Sequence, residues 1–543
     1  MQAATIAETM ENAVRHHQGG HLRQAEQLYR LVLQSDPNHP SALHLLGAIA
    51  YQRKQYHAAL ELIGKAIAGN RRIPQFHNTL GAVLKAVGKF EEAIAAYEEA
   101  VLLNPTYAEA YYNMGNALQS QGRYDPAVEK YKQAVSLKPD YAEAYNNMAI
   151  VQQMQGRHAE AIQNCSQAIR LKPNYAEAYN TRASALQMQG QHAKAIEYYK
   201  RTLLLKPDYA EAHVNLGMTL LLTGKFVEGW AEYQWRRYTK KAIYPHRYEM
   251  PRWDGSPFPE KKLFVHYEQG LGDNLQFVRY LPKVKARGGT VIFEVKKSLL
   301  GLLRGFRGID ELVEASFNVK PTVEFDFYTS LLDLPRIFGT TLETIPAEVP
   351  YLYADPRKVE YWRNKLAEDG FKVGIVWAGS AKHSNDRWRS CVLKRFAPLA
   401  KIDGVRLYGL QKGKAAEQVK ELTGKMSLMN LADELNDFTD TAGVIENLDL
   451  VISVDTAVLH LAGAMGKPVW ALLPFAADWR WMLNRDDSPW YPTMRLFRQR
   501  RSGNWDDVFQ RVTDELKTIT GKQSVRTRTF EHRNIKNGVV DLV

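Results

Sequence analysis

The chain has 543 residues, 45% hydrophobic and 24% charged, which allows several cores of ordinary soluble composition. Its two cysteines, Cys165 and Cys391, cannot build a disulfide framework or a zinc site alone. The start MQAATIAETMENAVRHH lacks the layout of a signal peptide, and the most apolar stretch, 448–475, carries Asp449, Asp455, His460 and Lys467, too polar for a membrane span. A cytoplasmic chain with no membrane span is expected. The net charge of +12 and pI near 9.3 favour anionic partners, but the basic residues are scattered, so only charge speaks for nucleic acid, which is not expected as a partner.

The first half repeats itself. Pro105, Pro139, Pro173 and Pro207 are each 34 residues apart, and Gly88, Gly122, Gly156, Gly190 and Gly224 keep the same step, with weaker copies upstream through Gly20, Pro37, Gly47 and Gly81. Each unit reads as a helix–turn–helix. Ala93, Ala127, Ala161 and Ala195 permit close helix crossing, and proline ends each unit. These residues, over roughly 13–237, resemble the tetratricopeptide repeat family. The resemblance implies a solenoid with a concave groove, serving either as a partner-binding surface or as a scaffold. In the repeat-bearing protein O-GlcNAc transferases of this family, groove asparagines hold substrate backbone. The matching positions are Asn113, Asn147 and Asn215, while Leu45, Thr79 and Thr181 depart from that pattern.

The segment 224–237 begins as another repeat, with Gly229 in place of the usual alanine, and nothing repeats beyond it. Pro245, Pro251, Pro257 and Pro259 then forbid a long helix and predict an extended connector. Trp230, Trp235 and Trp253 serve either to dock the solenoid or as an aromatic sugar platform.

From Lys262 strands and helices alternate. Strands are predicted at 263–267 and 290–295, with a helix at 275–285. A second set of strands falls at 373–377, 405–410, 448–453 and 468–473, with helices at 439–447, 456–464 and 506–519. The expected fold class is therefore an α-solenoid followed by an α/β region of two Rossmann-like lobes. Its domains are 8–237 (repeats), 238–261 (connector), 262–356 and 357–521 (lobes), and 522–543 (a basic, disordered tail with Arg526, Arg528, Arg533 and Lys536). Two such lobes imply a cleft at the strand C-termini. Small residues after strands, such as Gly272, Gly379 and Ser380, let backbone N–H groups approach phosphate. Arg387, Arg389 and Lys412 supply positive charge to a leaving diphosphate. The chain contains no Asp-X-Asp, which disfavours a metal-bridged diphosphate.

Gly270-Leu271-Gly272-Asp273 together with Asp455-Thr456-Ala457-Val458-Leu459-His460, continued by Gly466-Lys467-Pro468-Val469, resembles the bacterial heptosyltransferases, over about 263–516. The resemblance implies a glycosyltransferase B fold, metal independence and no cofactor other than a nucleotide-sugar donor. It also implies Asp273 as catalytic base, Asp455, Thr456 and His460 on the donor, and Arg387 on phosphate. The segments Asp478-Trp479-Arg480-Trp481 and Ser488-Pro489-Trp490-Tyr491-Pro492 depart from the lipopolysaccharide enzymes and are similar to a repeat-fused bacterial subgroup. Read from the residues alone, Asp273 is a base or a helix cap, His460 a donor contact or a core histidine, and Arg480 a packing residue or a holder of stacked rings.

The expectation is an inverting, metal-independent glycosyltransferase acting on a protein, or a glycan, presented by the repeats. The competing readings are a non-catalytic repeat adaptor with a degenerate lobe, and a nicotinamide dehydrogenase. Leu275 at the third-glycine position speaks against the dehydrogenase.

Overall fold

The computed structural model describes residues 3–239, 248–315, 321–367, 369–381 and 385–537; side chains are described up to Gly521. The chain divides into two compact units, Met1–Tyr209 and Ala210–Val543.

The first unit is a stack of antiparallel helix pairs, from Ala3–Gln18 with Leu22–Ser35 to Ala176–Met188 with His192–Leu205. The period works through two devices. Where the first helix of a pair ends, glycine takes a left-handed backbone: φ is 77° at Gly20, 82° at Gly88 and 75° at Gly122. Lys54 occupies the same register at φ 61°, a conformation that costs a non-glycine residue about 1–2 kcal/mol. Within several pairs a large ring lies on a small residue. A Cβ on Gly81 would fall 2.6 Å from Tyr97, and one on Gly115 2.7 Å from Tyr131. Asn78, Asn113, Asn116 and Asn147 link successive pairs. Asn113 Nδ2 donates to Asn78 Oδ1 at 3.0 Å, and Asn147 Nδ2 donates to Asn116 Oδ1 at 2.9 Å and to Tyr112 Oη at 3.0 Å.

The second unit begins with one more helix pair, Ala210–Leu222 and Phe226–Tyr233, and continues through two α/β lobes. In the first lobe β1 (Lys262–His266), β2 (Thr290–Val295), β3 (Glu311–Glu314) and β4 (Phe327–Ser330) form a parallel sheet of order β3-β2-β1-β4. In the second, β5 (Phe371–Val376), β6 (Val405–Gly409), β7 (Met429–Asn430), β8 (Leu450–Val454), β9 (Val469–Leu473) and β10 (Met494–Arg498) form a parallel sheet of order β10-β9-β8-β5-β6-β7. Strands buried on both faces, such as β8 and β9, read as apolar runs, broken in β8 only by Ser453. Chain order reverses beside β1 and between β5 and β8, where open α/β sheets take ligands.

One core runs from Leu221, Trp230 and Tyr233 through Phe277 and Tyr280 to Trp479, Trp481 and Trp490. A second lies on the far face of the larger sheet, with Trp377, Phe396 and Phe509. Trp230 and Trp253 are buried, and Trp230 Nε1 donates to the Thr340 carbonyl at 2.9 Å, so neither is a sugar platform. Trp235 stacks on His213 at 4.0 Å.

Two local expectations differ. The helix after β1 starts at Leu271, not 275, and breaks over Val278–Tyr280 before restarting at Leu281, where Pro282 sits in a new first turn. The closing helix runs Asp506–Asn537, because no proline or glycine interrupts 522–537; the side chains of Arg526, Arg528, Arg533 and Lys536 lie outside the described residues. Of the connector, 240–247, including Pro245, lies outside them too.

Candidate functional site

The turn that leaves β1 is held from several directions. Gln269 adopts φ 62°, donates through Nε2 to Tyr233 Oη at 3.0 Å, and its carbonyl accepts from Lys296 Nζ at 3.2 Å. Just before it, Glu268 receives both arms of Arg236, each at 2.8 Å. Arg236 also bonds Asp333 at 2.8 Å. The last helix pair thus braces the C-terminal end of β1.

Asp273 is the third residue of the helix Leu271–Phe277. Its Oδ2 accepts the Gly270 N–H at 2.8 Å, so it satisfies an orphan helix donor from inside the first turn rather than as the N-cap residue. Its Oδ1 pairs with Arg480 of the second lobe. Arg480 is buried; it gives Nε to Gln276 Oε1 at 2.6 Å and Nη1 to Asp478 Oδ1 at 2.9 Å, and stacks over Trp479 at 4.4 Å. Burial disfavours its charge, but Asp478 and Asp273 outweigh that and hold it well above the usual arginine range. Its planar face and donors are used inside the protein, so it is not a platform for a nucleotide base. Arg279 forms a second tie between the lobes, donating to the carbonyl of Trp490 at 2.7 Å and to Tyr351 Oη at 2.7 Å.

Facing this helix is Ala457–Ala464, which follows β8. A Cβ on Gly272 would lie 2.7 Å from His460 Cδ2, so glycine is what lets the two elements meet. His460 is buried, with Nδ1 3.0 Å from Tyr491 Oη and Nε2 3.7 Å from Asp455 Oδ1; its ring stacks on Trp481. Asp455 Oδ2 accepts from Trp481 Nε1 at 3.0 Å. Burial pushes the Asp455 carboxyl up, but the hydrogen bonds and charges of His460, Trp481 and Arg389 prevail and bring it to about 2. Thr456 precedes the helix; its hydroxyl bonds Ser453 Oγ at 2.9 Å and does not cap the first turn, which leaves N–H donors at this end.

The other phosphate candidates divide. After β5, Gln411 Oε1 accepts the N–H groups of Trp377 (3.1 Å) and Ala378 (2.8 Å), and Ser390 Oγ accepts that of Gly379 (2.9 Å). Those donors are satisfied by side chains, contrary to the expectation that they face a phosphate. Gly379 is small because Arg389 passes it: a Cβ there would be 2.4 Å from Arg389 Nη2. Ser380 is exposed, as is Arg387, whose guanidinium lies over Trp388 at 4.7 Å. Lys412 Nζ donates to the carbonyls of Ala432 (2.7 Å) and Leu435 (2.6 Å) and so ties down the loop after β7. Among the described residues no group of three or more His, Cys, Asp or Glu gathers as a ligand set.

Sequence reasoning placed Arg480 only as a packing residue or a holder of stacked rings, and it missed Lys296. Arg480 had a signal, an arginine between tryptophans with aspartate two residues before it. Lys296 had none beyond its place after β2. Burial lowers its ammonium and Asp273 raises it, with burial prevailing. No described helix is long and apolar enough to cross a membrane.

Residues 349–479 match the profile of glycosyltransferase family 9 (heptosyltransferase), a stretch that includes Asp455 and His460 but neither Asp273 nor Arg480. Tetratricopeptide repeat profiles match 84–122, 115–156, 140–206 and 180–234. The chain is a tetratricopeptide repeat array fused to a heptosyltransferase-like α/β region.

Protein FlbA of Caulobacter vibrioides is 29% identical over 321 residues, covering 55% of this chain and 53% of FlbA; the chain thus spans about half the length of the curated relative it matches. Among solved structures, MamA is 24% identical over 32% of this chain and 94% of its own, with a TM-score of 0.29. A tetratricopeptide repeat protein from Parabacteroides merdae is 19% identical over 44% and 95%, with a TM-score of 0.37.

Proposed function

We propose that the second unit transfers a sugar from a nucleotide-sugar donor, without metal and with inversion, to an acceptor that the repeats present as a protein. One observation carries the reading: the turn after β1, with Asp273, and the helix start after β8, with Asp455 and His460, abut at the chain-reversal points of two parallel sheets. The donor diphosphate would sit against the first turn of Ala457–Ala464, with Arg387 and Arg389 supplying charge as it leaves. Asp273 would take the acceptor proton. A carboxylate has lone pairs beyond those used by Gly270 and Arg480, and Arg480 balances its charge in a buried place. The absence of Asp-X-Asp supports the metal-free form. No other cofactor is invoked. Asn113, Asn147 and Asn215 are the proposed acceptor contacts; Asn147 would act through its carbonyl oxygen, since both its N–H groups have internal partners.

The occupied oxygens of Asp273 favour the second reading, a non-catalytic adaptor. Titration of nucleoside diphosphates by calorimetry, followed by a transfer assay with radiolabelled nucleotide-sugars in EDTA, separates them. Binding and EDTA-resistant transfer support the enzyme; tight partner binding with no nucleotide affinity supports the adaptor; transfer that needs added manganese overturns the metal-free mechanism.

A further inference from the structure

The repeats carry an irregularity in their core. The position filled by Leu46, Leu80, Met114, Met148 and Leu216 holds Arg182. The position filled by tyrosine at 29, 97, 131, 199 and 233 holds Ile63 in one upstream repeat and Cys165 in another, and the one filled by Tyr56, Phe90, Tyr124 and Phe226 holds His158 and His192. His158, Cys165, Arg182 and His192 fall in two adjacent repeats, and beside them opens a cavity of about 550 Å³ between the helices His158–Leu171, Ala176–Met188 and His192–Leu205. Arg182 and Tyr198 line it, the guanidinium 4.4 Å over the ring. Arg182 Nε is shut off from solvent and has no hydrogen-bond partner among the described residues. At the rim Lys194 Nζ donates to Gln191 at 3.0 Å, and Gln191 donates to Gln189 at 2.9 Å.

We propose that this cavity binds a carboxylate of an acidic peptide segment, an Asp or Glu side chain of a partner protein. A guanidinium in a column otherwise apolar forgoes burial energy unless its donors find an acceptor. Stacking on Tyr198 occupies the guanidinium face and leaves the in-plane Nη1 and Nη2 N–H groups for a bidentate acceptor. Arg182 and Lys194 against Glu197 leave a single net positive charge, which suits a monoanion better than a phosphate dianion. The glutamine amides at the rim can take up the peptide backbone flanking it. This site is separate from the α/β lobes and does not depend on their chemistry.

The test is fluorescence anisotropy with the full chain and a fluorescein-labelled peptide of alternating Asp and Glu, against the same peptide with Asn and Gln. The acidic peptide should bind at least tenfold more tightly. Arg182→Met, which restores the residue type of the column, should weaken it at least tenfold, and Lys194→Gln several-fold. Melting of the Arg182→Met variant should be no lower than wild type. Equal affinity for the two peptides, unchanged affinity of Arg182→Met, or binding of inorganic phosphate in preference to the peptide would each overturn the proposal. A lower melting point with unchanged affinity would assign Arg182 to packing on Tyr198 alone.

Discussion

Arg480→Met removes the cation that joins the two lobes at the candidate site. The methionine fills much of the volume against Trp479 and Phe277 but leaves Asp273, whose side chain is 15% exposed, with an uncompensated charge, and Gln276 without its donor. Removing one partner of a buried pair costs about 3–5 kcal/mol. The lower end applies because Asp478, 34% exposed, can recover water. A loss of about 3 kcal/mol changes the unfolding equilibrium roughly a hundredfold. Urea denaturation read by tryptophan fluorescence measures it, in a cycle with Asp273→Asn and the double variant. The asparagine of that single variant would have one acceptor oxygen for two donors, so it too should destabilise. The double variant should be less destabilised than the sum of the singles by at least about 1 kcal/mol. Additivity within about 0.5 kcal/mol would show that the Asp273–Arg480 pair contributes no coupling, and the account of the lobe tie would fall.

Three further outcomes follow from the same geometry. If Asp273 takes the acceptor proton, Asp273→Asn lowers transfer by about 10²-fold or more while donor affinity, measured by calorimetry, stays within a few-fold; transfer near wild type removes it from the mechanism. The folded Asp455 carboxyl sits at about 2, below its ordinary 3.8, so its contribution of about 2 kcal/mol is present above pH 4 and lost as pH falls towards 2. Asp455→Asn should flatten that acid limb, and an unchanged acid profile would contradict the pairing. Deleting residues 1–209 should leave a soluble unit that unfolds cooperatively. Deleting 1–237 should not, since it strips Trp230 from the core and Arg236 from Glu268 and Asp333; equal melting of the two truncations would refute the bracing role of the last helix pair.

The solenoid was legible because its period is written in single residues: the turn glycines at 20, 88, 122, 156, 190 and 224 each need a left-handed backbone, and sequence shows them directly. Lys54 hides one such turn, since only its register marks it. The central strands were legible as apolar runs. Glu311–Glu314, Met429–Asn430 and Met494–Arg498 were not, being short or mixed with polar residues at sheet edges. In the site, Asp455 and His460 are neighbours along one strand–helix turn, so local spacing brings them together. Asp273 and Arg480 lie 207 residues apart, and no local pattern joins them. The donors after β5 misled for a related reason: glycine and alanine there predict open N–H groups, but Gln411 and Ser390, on other segments, supply the acceptors.

Both members of each close ring-on-glycine contact, Gly81 with Tyr97 and Gly115 with Tyr131, belong to the same repeat. A gene that gains or loses one whole period by misaligned recombination therefore keeps such pairs intact when the crossover falls outside the stretch between glycine and ring. Length can drift, but only in steps of 34 residues. The terminal pair is the exception. Gly217 lies against the backbone of Tyr233, whose hydroxyl also receives Gln269 from the turn after β1, so that last copy answers to two folds at once and a sibling repeat without Tyr233 and Arg236 would not replace it.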